Sequence, residues 1–445
     1  MGTLANANIH KHSKVGSVAT IHTLLFLCMV LPGIYAIRRS YFQGKVEINH
    51  VTLFTVGFLA YWILPIGIVA LLSSHVQDFL GDDLMNLYAG AGSMEEYLIF
   101  CGIIYLAFVA GDMLGRRKIV RSAGRLKPVS GKILLLFGVM GGIIAAGAMI
   151  QARDILLKGT YVHDPDPIER GTVAAACNFL FLPAVIYIVQ THPSTLKRLL
   201  FNRYMVLFLP PNIILFLSGS RLYFISFLLM LIVYWTSFRQ RIRAARLVAV
   251  LLGAITLMGA VGAYRLGGSG EHSIIANLIE EPMFTSFSLA AFLGSHKLFL
   301  WNYPVYLASD LINLIPSAVF PGKIALINQM PDVYTPLGAL NSFVSFQWNF
   351  GLIGTMIFMF LFGYFLTRLR RHCDLWSRVA YVLSSGWLTF TFFRDPFSIS
   401  LVKNILEFSL LIPAVMIVFS RLVVWAREPL SHSVGRLNEA GSTQK

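Results

Sequence analysis

The sequence predicts an all-α polytopic membrane protein with about eleven transmembrane helices. Its 445 residues are 56% hydrophobic and only 13% charged, which is typical of chains embedded in lipid and not of soluble domains. Apolar runs that approach the roughly 20 residues needed to cross a bilayer recur along the chain. We therefore expect one integral membrane domain that comprises residues 1–445.

The predicted spans are joined by short loops, except for one long loop after the eighth span. The spans lie near residues 20–37, 51–72, 94–114, 132–151, 171–190, 204–217, 222–238, 247–264, 346–367, 378–393 and 401–424. The first run has no good cleavage site, which favours a span over a signal peptide. In the sixth run, Pro210 and Pro211 remove two backbone donors, so a break in the helix is expected there. In the fourth run, Gly138 and Gly142 predict a helix-packing face.

The long loop, residues 265–347, is not a plain linker. It combines amphipathic stretches with Gly, Pro and Asn, a pattern typical of short helices that lie on the membrane surface. Long loops of this kind often cover a site.

Basic residues are concentrated in four short loops, and acidic residues in the loops between them. The basic loops contain Arg116, Arg117, Lys118, Arg121, Arg125, Lys127 and Lys132; Lys197, Arg198 and Arg203; Arg239, Arg241, Arg243 and Arg246; and Arg368, Arg370, Arg371 and Arg378. Because cytoplasmic loops are enriched in Lys and Arg, these loops are predicted to be inside, with the loop 265–347 and the N-terminus outside and the C-terminus inside. The net charge of +15 then reflects membrane topology and not nucleic-acid binding.

The chain lacks the sequence signatures of nucleotide-driven transporters and of the common hydrolases. There is no Walker sequence, no HExxH and no GxSxG. The cysteines, Cys28, Cys101, Cys177 and Cys373, form no CxxC pair, which favours small buried residues over disulfides or metal ligands. We expect neither a metal nor a cofactor.

Arg221 is the most informative residue, because it follows Ser218-Gly219-Ser220 between two apolar runs. An arginine deep in a hydrophobic segment costs roughly 2.5–3.5 kcal/mol on insertion scales and normally faces the protein interior. Irregular backbone at membrane depth is tolerated only where it lines a cavity or is buried in protein. The tetrapeptide therefore predicts a positively charged cavity for an anionic ligand, with bracing of the fold as the alternative.

Further arginines lie at the predicted outer ends of spans. They are Arg153, Arg170, Arg265 and Arg394. The planar donor fork of arginine suits a diphosphate, so these side chains, with Ser220 and Arg221, are candidates to bind one and to stabilise it as a leaving group. The alternatives are snorkelling to the interface for Arg265, a local ion pair with Asp395 for Arg394, and solvated loop positions for Arg153 and Arg170.

A general base would be a carboxylate or histidine near those arginines. The candidates are Glu95, Glu96, Glu271, His272, Glu280, Glu281 and Asp395. Their spacing does not choose among them. We favour His272 or Glu281, and keep Asp395 as a third candidate.

Three segments resemble the bacterial O-antigen polymerases, also called oligosaccharide repeat-unit polymerases. The first is Leu217-Ser218-Gly219-Ser220-Arg221, which resembles the serine-glycine-arginine break of that family. The second is Asn341-Ser342 followed by Asn349-Phe350-Gly351-Leu352-Ile353-Gly354, and the third is Arg394 between the last two spans. The layout of spans around one large loop in the second half is also similar.

The resemblance implies a fold related to the GT-C membrane glycosyltransferases, in the bacterial inner membrane with the site facing the periplasm. Such enzymes transfer a glycan from undecaprenyl diphosphate to a new lipid-linked repeat unit, without nucleotide sugar or obligate metal, and can work with a chain-length regulator protein. Arg221, Arg265 and Arg394 would contact the diphosphate, and direct displacement would invert the anomeric carbon. One departure is that Lys297 and Lys323 are the only Lys or Arg residues between Ser273 and the next span, where the family has an arginine-rich loop.

Two other functions fit parts of the sequence. An O-antigen ligase uses the same donor, so the arginines do not distinguish it from a polymerase. A flippase or other transporter would carry polar residues through many spans, whereas here the polar residues gather at the outer ends.

Overall fold

The described part of the protein is almost entirely helical. The computed structural model describes residues 2–69, 91–117, 129–151, 178–217, 221–249, 252–253, 256, 274–296, 300–302, 304, 307–312, 315, 320 and 340–424. The side chains of residues 2–19, Arg221 and Glu281 lie outside that description.

The helices are numbered in chain order. They are α1 (Gly2–Ser40), α2 (His50–Phe58), α3 (Ala91–Gly115), α4 (Gly131–Gln151), α5 (Phe181–Thr191), α6 (Leu196–Leu200), α7 (Arg203–Leu217), α8 (Arg221–Phe238), α9 (Ile274–Ser295), α10 (Leu307–Ile312), α11 (Ser342–Arg371), α12 (Leu375–Trp387) and α13 (Thr391–Arg394). A π-helical turn, Leu59–Ile63, continues α2, and a longer π-helical segment, Ser398–Leu411, begins the last apolar helix. Three short strands are β1 (Tyr41–Phe42), β2 (Lys45–Val46) and β3 (Ile242–Arg243).

Six helices in the described ranges are long and apolar enough to cross a membrane. They are Thr20–Ser40, His50–Val69, Met94–Gly115, Gly131–Ile150, Ser342–Arg371 and Ile399–Val424. Two shorter apolar helices are Phe181–Thr191 and Tyr223–Phe238. These helices confirm the prediction of an all-α chain with the features of a membrane protein. The total of eleven spans stays a prediction, because the run 247–264 falls largely outside the described residues.

The expected break at Pro210 and Pro211 is wrong, since α7 runs through both prolines. The φ angle that proline imposes is compatible with a helix, and neighbouring groups can compensate for the missing donors. Asn212 Nδ2, one residue after the prolines, donates a hydrogen bond of 3.0 Å to the carbonyl oxygen of Phe208 on the preceding turn.

The chain forms two compact units. Unit 1 comprises residues 1–119, 228–371 and 384–405, and unit 2 comprises 120–227, 372–383 and 406–445. The core of unit 1 is rich in aromatic rings. Phe54 stacks on Phe108 with centroids 4.0 Å apart, and Trp62 meets Phe343 edge to face at 4.4 Å. Such offset and edge-to-face pairs are the favoured aromatic geometries.

Helices α3 and α11 of unit 1 run parallel and pack closely through glycines. A Cβ at Gly111 would overlap the backbone of Phe360, and a Cβ at Gly363 would overlap the backbone of Phe108. At Gly115 a Cβ would lie 2.9 Å from the Thr367 Cβ. The absence of side chains at these positions lets the two backbones touch, as small residues do between membrane helices.

A small antiparallel sheet joins two loops of unit 1. Strands β1 and β2 form a two-residue hairpin whose central residues, Gln43 and Gly44, have φ angles of 49° and 73°. Positive φ at both positions is the geometry of a type I′ turn. Strand β3, after α8, pairs with β2, so the loop after α1 and the basic loop after α8 lie on the same side of unit 1.

In unit 2, Phe181 packs on Phe208 and Phe227 with centroid distances of 4.8 and 5.0 Å. At one end of this unit, Gln190 exchanges two hydrogen bonds with the backbone of Val129, at 3.0 and 3.1 Å. The start of α4 and the end of α5 are thereby fixed to each other.

Candidate functional site

The structure describes only some of the residues that the sequence predicts for the site. Arg153, Arg170, Ser220, Arg265 and His272 lie outside the described residues. Arg221 is the first residue of α8, and Glu281 lies within α9, in both cases with only the backbone described. Arg394 and Asp395 are described and half-buried. The site is therefore built from the surroundings of Arg394 and Asp395.

The N-terminus of α11 meets the turn that follows Arg394. Ser342 Oγ donates a hydrogen bond to the backbone carbonyl of Asp395 and lies 2.7 Å from Ser400 Oγ. Ser342 belongs to the second segment of the resemblance described above, and Asp395 directly follows Arg394, which is the third. The structure therefore brings the second segment into contact with the residue next to Arg394, within unit 1.

Asn341 starts the long helix and fixes its direction. Its Oδ1 accepts a hydrogen bond of 3.0 Å from the backbone N–H of Phe343, which is the geometry of a helix N-cap. Its backbone N–H donates to Ser288 Oγ at 3.0 Å, and Ser288 in turn donates to the Thr285 carbonyl at 2.8 Å. The start of α11 is thus connected to α9 as well as to the turn at Asp395.

The turn itself is held by short-range backbone bonds. The N–H of Asp395 donates to the carbonyl of Thr391 at 2.9 Å, and the N–H of Arg394 donates to Phe390 at 3.0 Å. After Pro396, the N–H of Ser400 donates to the Pro396 carbonyl at 2.9 Å and leads into the π-helical segment. The backbone of Arg394 is therefore fixed next to the atom that Ser342 contacts.

Small polar side chains are buried on the segments that meet at this contact, and we call them the polar cluster. It consists of Thr285, Ser286, Ser288, Asn341, Ser342, Ser345, Asn349, Thr391, Ser400 and Asn404. Asn341 Nδ2 has no hydrogen-bond partner among the described residues. The cluster offers hydroxyl and amide groups of the kind that recognise sugar hydroxyls.

A sharp kink lies within the second segment of the resemblance, Asn349 to Gly354. Gly351 has φ 66° and ψ −176°, a region that essentially only glycine occupies. The kink frees the N–H of Ile353, which donates to the Leu300 carbonyl at 3.0 Å. Asn302 Nδ2 also donates to the Trp348 carbonyl at 2.5 Å. Residues 300–302 of the predicted outer loop therefore dock on irregular backbone of α11.

The sequence reasoning missed an ionic network at the other end of α11. Asp112 is fully buried. Its Oδ1 accepts a hydrogen bond of 2.5 Å from Thr367 Oγ1 and lies 3.3 Å from His50 Nε2. Its Oδ2 accepts from Tyr35 OH at 2.7 Å and forms an ion pair with Arg116. The sequence does contain a sign of this network, because Asp112 is an acidic residue inside an apolar run and such residues are rare in membrane helices.

This network is separate from the polar cluster. Ser342 and Thr367 are 25 residues apart on one helix, which corresponds to roughly 35–40 Å at 1.5 Å per residue. The network ties together α1, α2, α3 and α11, so its evident role is to hold the helices of unit 1. No group of three or more potential metal ligands occurs among the residues that the structure describes.

Comparisons with known proteins add no identification. No family model, no curated protein and no solved structure matches this chain.

Proposed function

We propose that this protein polymerises undecaprenyl-diphosphate-linked oligosaccharide repeat units into O-antigen or a related surface polysaccharide. It would act at the periplasmic face of the bacterial inner membrane with a GT-C-like fold. The observation that carries the proposal is the hydrogen bond from Ser342 to the Asp395 carbonyl. It places Ser342, from the second segment that resembles this family, against the residue next to Arg394, the third, although 53 residues separate the two bonded residues in the chain.

The charge and the polar groups near this contact suit the substrate. Arg394 precedes the contacted residue and can offer a planar pair of donors to a diphosphate. The buried hydroxyls and amides of the polar cluster can recognise sugar hydroxyls. Arg221 and Arg265 stay diphosphate ligands predicted from the sequence, since the side chain of Arg221 and the whole of Arg265 lie outside the described residues.

The reaction follows from these roles. A base removes the proton from an acceptor hydroxyl, and the oxygen attacks the anomeric carbon of the donor sugar. The bond from that carbon to the undecaprenyl diphosphate oxygen breaks, and the electron pair leaves on the diphosphate. The arginines stabilise this leaving group, and one displacement inverts the anomeric carbon. Asp395, His272 and Glu281 are the candidates for the base.

The charge at the two ends of α11 supports the orientation. The helix begins at Ser342 beside the polar cluster and ends at Arg368, Arg370 and Arg371. Since basic residues favour the cytoplasmic side, the polar cluster would be periplasmic, where lipid-linked repeat units are joined.

The first test is a gel of lipid-linked and surface glycan from a strain that lacks this chain. The proposal predicts a single repeat unit without a ladder, and complementation restores the ladder. Full-length glycan that stays on the undecaprenyl carrier would indicate a ligase instead, and loss of all outer-face glycan would indicate a flippase.

Complementation with variants then tests the site. We expect Arg394→Ala to lower polymerisation about 10²–10³-fold, the usual effect of removing a group that stabilises developing charge. The matched control is Arg198→Ala, which removes an exposed arginine from α6. Equal ladders from both variants, at equal protein levels in the membrane, would contradict the assignment of Arg394.

A further inference from the structure

The hairpin of β1 and β2 presents aromatic rings next to the end of an apolar helix. Tyr41 and Phe42 follow α1 directly and are 51% and 57% exposed. The type I′ turn at Gln43 and Gly44 and the pairing with β3 hold these rings on a short, defined sheet. Aromatic rings at the end of a membrane-spanning helix are typical of the interface between lipid and water.

Positive charge surrounds the hairpin, and we call this the basic hairpin surface. Its exposed basic residues are Lys45, Arg239, Arg241, Arg243 and Arg246. The acid nearest to them in the chain, Glu47, is buried and is shared by Arg241, at 3.3 Å, and Arg370. Among the described residues, no carboxylate forms an ion pair with Lys45, Arg239 or Arg243. Glu47 is thus already neutralised by Arg241 and Arg370. It does not neutralise Lys45, Arg239 or Arg243.

Two of these charges face each other across the sheet. Lys45 is the register partner of Arg243 in the antiparallel pair of β2 and β3. Directly opposed residues place their side chains on the same face, and like charges in that position destabilise a sheet. The unfavourable pair is understandable if an anion binds between the two side chains. Arg241 lies with its Cζ 5.3 Å from the centroid of the Phe42 ring, so ring and charge share the surface.

We propose that the basic hairpin surface binds the phosphate headgroup of an anionic phospholipid. Lys45 and Arg243 contact the phosphate, Arg239 adds charge, and Tyr41 and Phe42 enter the interface beside the acyl chains. The lipid belongs to the leaflet on the side of the basic loops. A lipid is favoured over an acidic protein because the surface continues directly from the apolar helix α1 and combines exposed rings with basic side chains. This proposal is independent of the proposed enzymatic function.

The test measures binding of short-chain lipid to the purified full chain in a neutral detergent, by native mass spectrometry. The probes are dioctanoyl phosphatidylglycerol and, as the neutral comparison, dioctanoyl phosphatidylcholine. The variant is Lys45→Gln/Arg243→Gln, and the matched control is Lys197→Gln/Arg198→Gln, which removes two exposed charges from α6. We expect the hairpin variant to bind phosphatidylglycerol roughly 10–30-fold more weakly, given the usual contribution of two basic residues near an anionic surface.

Several outcomes would overturn the proposal. They are equal binding of the two lipids, equal loss in both double variants, or unchanged binding in the hairpin variant. Competition by inorganic phosphate at the same concentration as the lipid would mean a site for free phosphate, and tighter binding of polyglutamate would mean an acidic protein partner.

The charge-conserving variant Lys45→Arg/Arg243→Lys should keep the preference for phosphatidylglycerol, which separates loss of charge from damage to the sheet. If the double variant does not fold, the single variant Lys45→Gln should still bind phosphatidylglycerol more weakly, by about half of the expected change in the logarithm of the affinity. Unchanged binding by this single variant would contradict the proposal.

Discussion

Thr367 Oγ1 donates a hydrogen bond of 2.5 Å to Asp112 Oδ1, across 255 residues of the chain. This bond connects α11 to a carboxylate that already binds α1 through Tyr35 and lies within 3.3 Å of His50 on α2. One buried acid therefore organises four helices of unit 1.

We expect Asp112→Ala to destabilise the protein by about 3–5 kcal/mol, because it leaves the Arg116 charge without its partner. Asp112→Asn should cost less, since the amide keeps the shape and part of the hydrogen bonding. Tyr35→Phe removes two hydrogen bonds, one donated to Asp112 and one accepted from Arg116, and should cost about 1–2 kcal/mol at the usual strength of bonds between membrane helices. Thermal unfolding in detergent measures the order of the three variants, and a wild-type Tm for Asp112→Ala would contradict the role of the network.

The close packing of α3 on α11 predicts a second effect. Gly111→Ala places a Cβ against the backbone of Phe360, so the helices must separate, at a cost of about 1–3 kcal/mol for overpacking. Gly102→Ala on the same helix is the control, because its Cβ would lie 3.5 Å from Cys28 Sγ, an ordinary contact. Tm should fall for the first variant only. Equal Tm values would show that the helices adjust without cost.

The kink of α11 predicts a third effect. Gly351→Ala forces a side chain into a conformation reserved for glycine and brings its Cβ within 2.7 Å of Trp301 Cα. We expect a loss of about 1–3 kcal/mol in stability and a weaker glycan ladder, because residues 300–302 would lose their docking position. Gly142→Ala, where a Cβ meets none of the described residues within 4 Å, should change neither. An intact ladder and Tm in the Gly351 variant would rule out a need for the kink.

The predicted topology can be checked by labelling. The background is a variant whose own cysteines are replaced by serine. In it, Gln43→Cys at the hairpin tip should react with a membrane-impermeant thiol reagent only after the inner membrane is permeabilised. Leu300→Cys, 65% exposed beside the kink, should react with a membrane-impermeant thiol reagent in cells with an intact inner membrane. The reverse pattern would invert the orientation and would place the polar cluster on the cytoplasmic side.

Six of the eleven predicted spans coincide with described helices that are long and apolar enough to cross a membrane, because the burial of about 20 residues in lipid leaves a strong local pattern. The N-terminus of α11 lies four residues before the predicted start of its span at 346, since Asn341 caps it through a side chain and not through apolarity. Of the two glycines expected to form a packing face, Gly138 would place a Cβ 3.4 Å from Leu207 Cδ1, whereas a Cβ at Gly142 meets none of the described residues within 4 Å. Gly111 and Gly115 have the same spacing and do pack. Spacing alone does not show which helix a glycine faces.

Contacts between distant segments could not be predicted from the sequence in the same way. Asp112 lies just before a basic loop and looks like part of the charge pattern that sets topology, whereas its role depends on Thr367 and Tyr35. For the site, the sequence pointed to Arg394, Asp395 and Ser342 separately. The hydrogen bond from Ser342 to the Asp395 carbonyl depends on the packing of α11 against α13, which the sequence does not show. Ser288 carried no signal at all, because a serine in an amphipathic helix is ordinary.

The parallel pairing of α3 and α11 sets an order of events during biosynthesis. At about 5–20 residues per second, the ribosome needs roughly 13–50 s to travel from Asp112 to Thr367. Tyr35 and His50 precede Asp112, and Arg116 follows within one turn, so the nascent chain supplies its own counter-charge from the start. Gly111 and Gly115 of α3 cannot meet Phe360 and Thr367 until α11 has been synthesised. We therefore expect the packing of α3 on α11 to be a late step in the folding of unit 1.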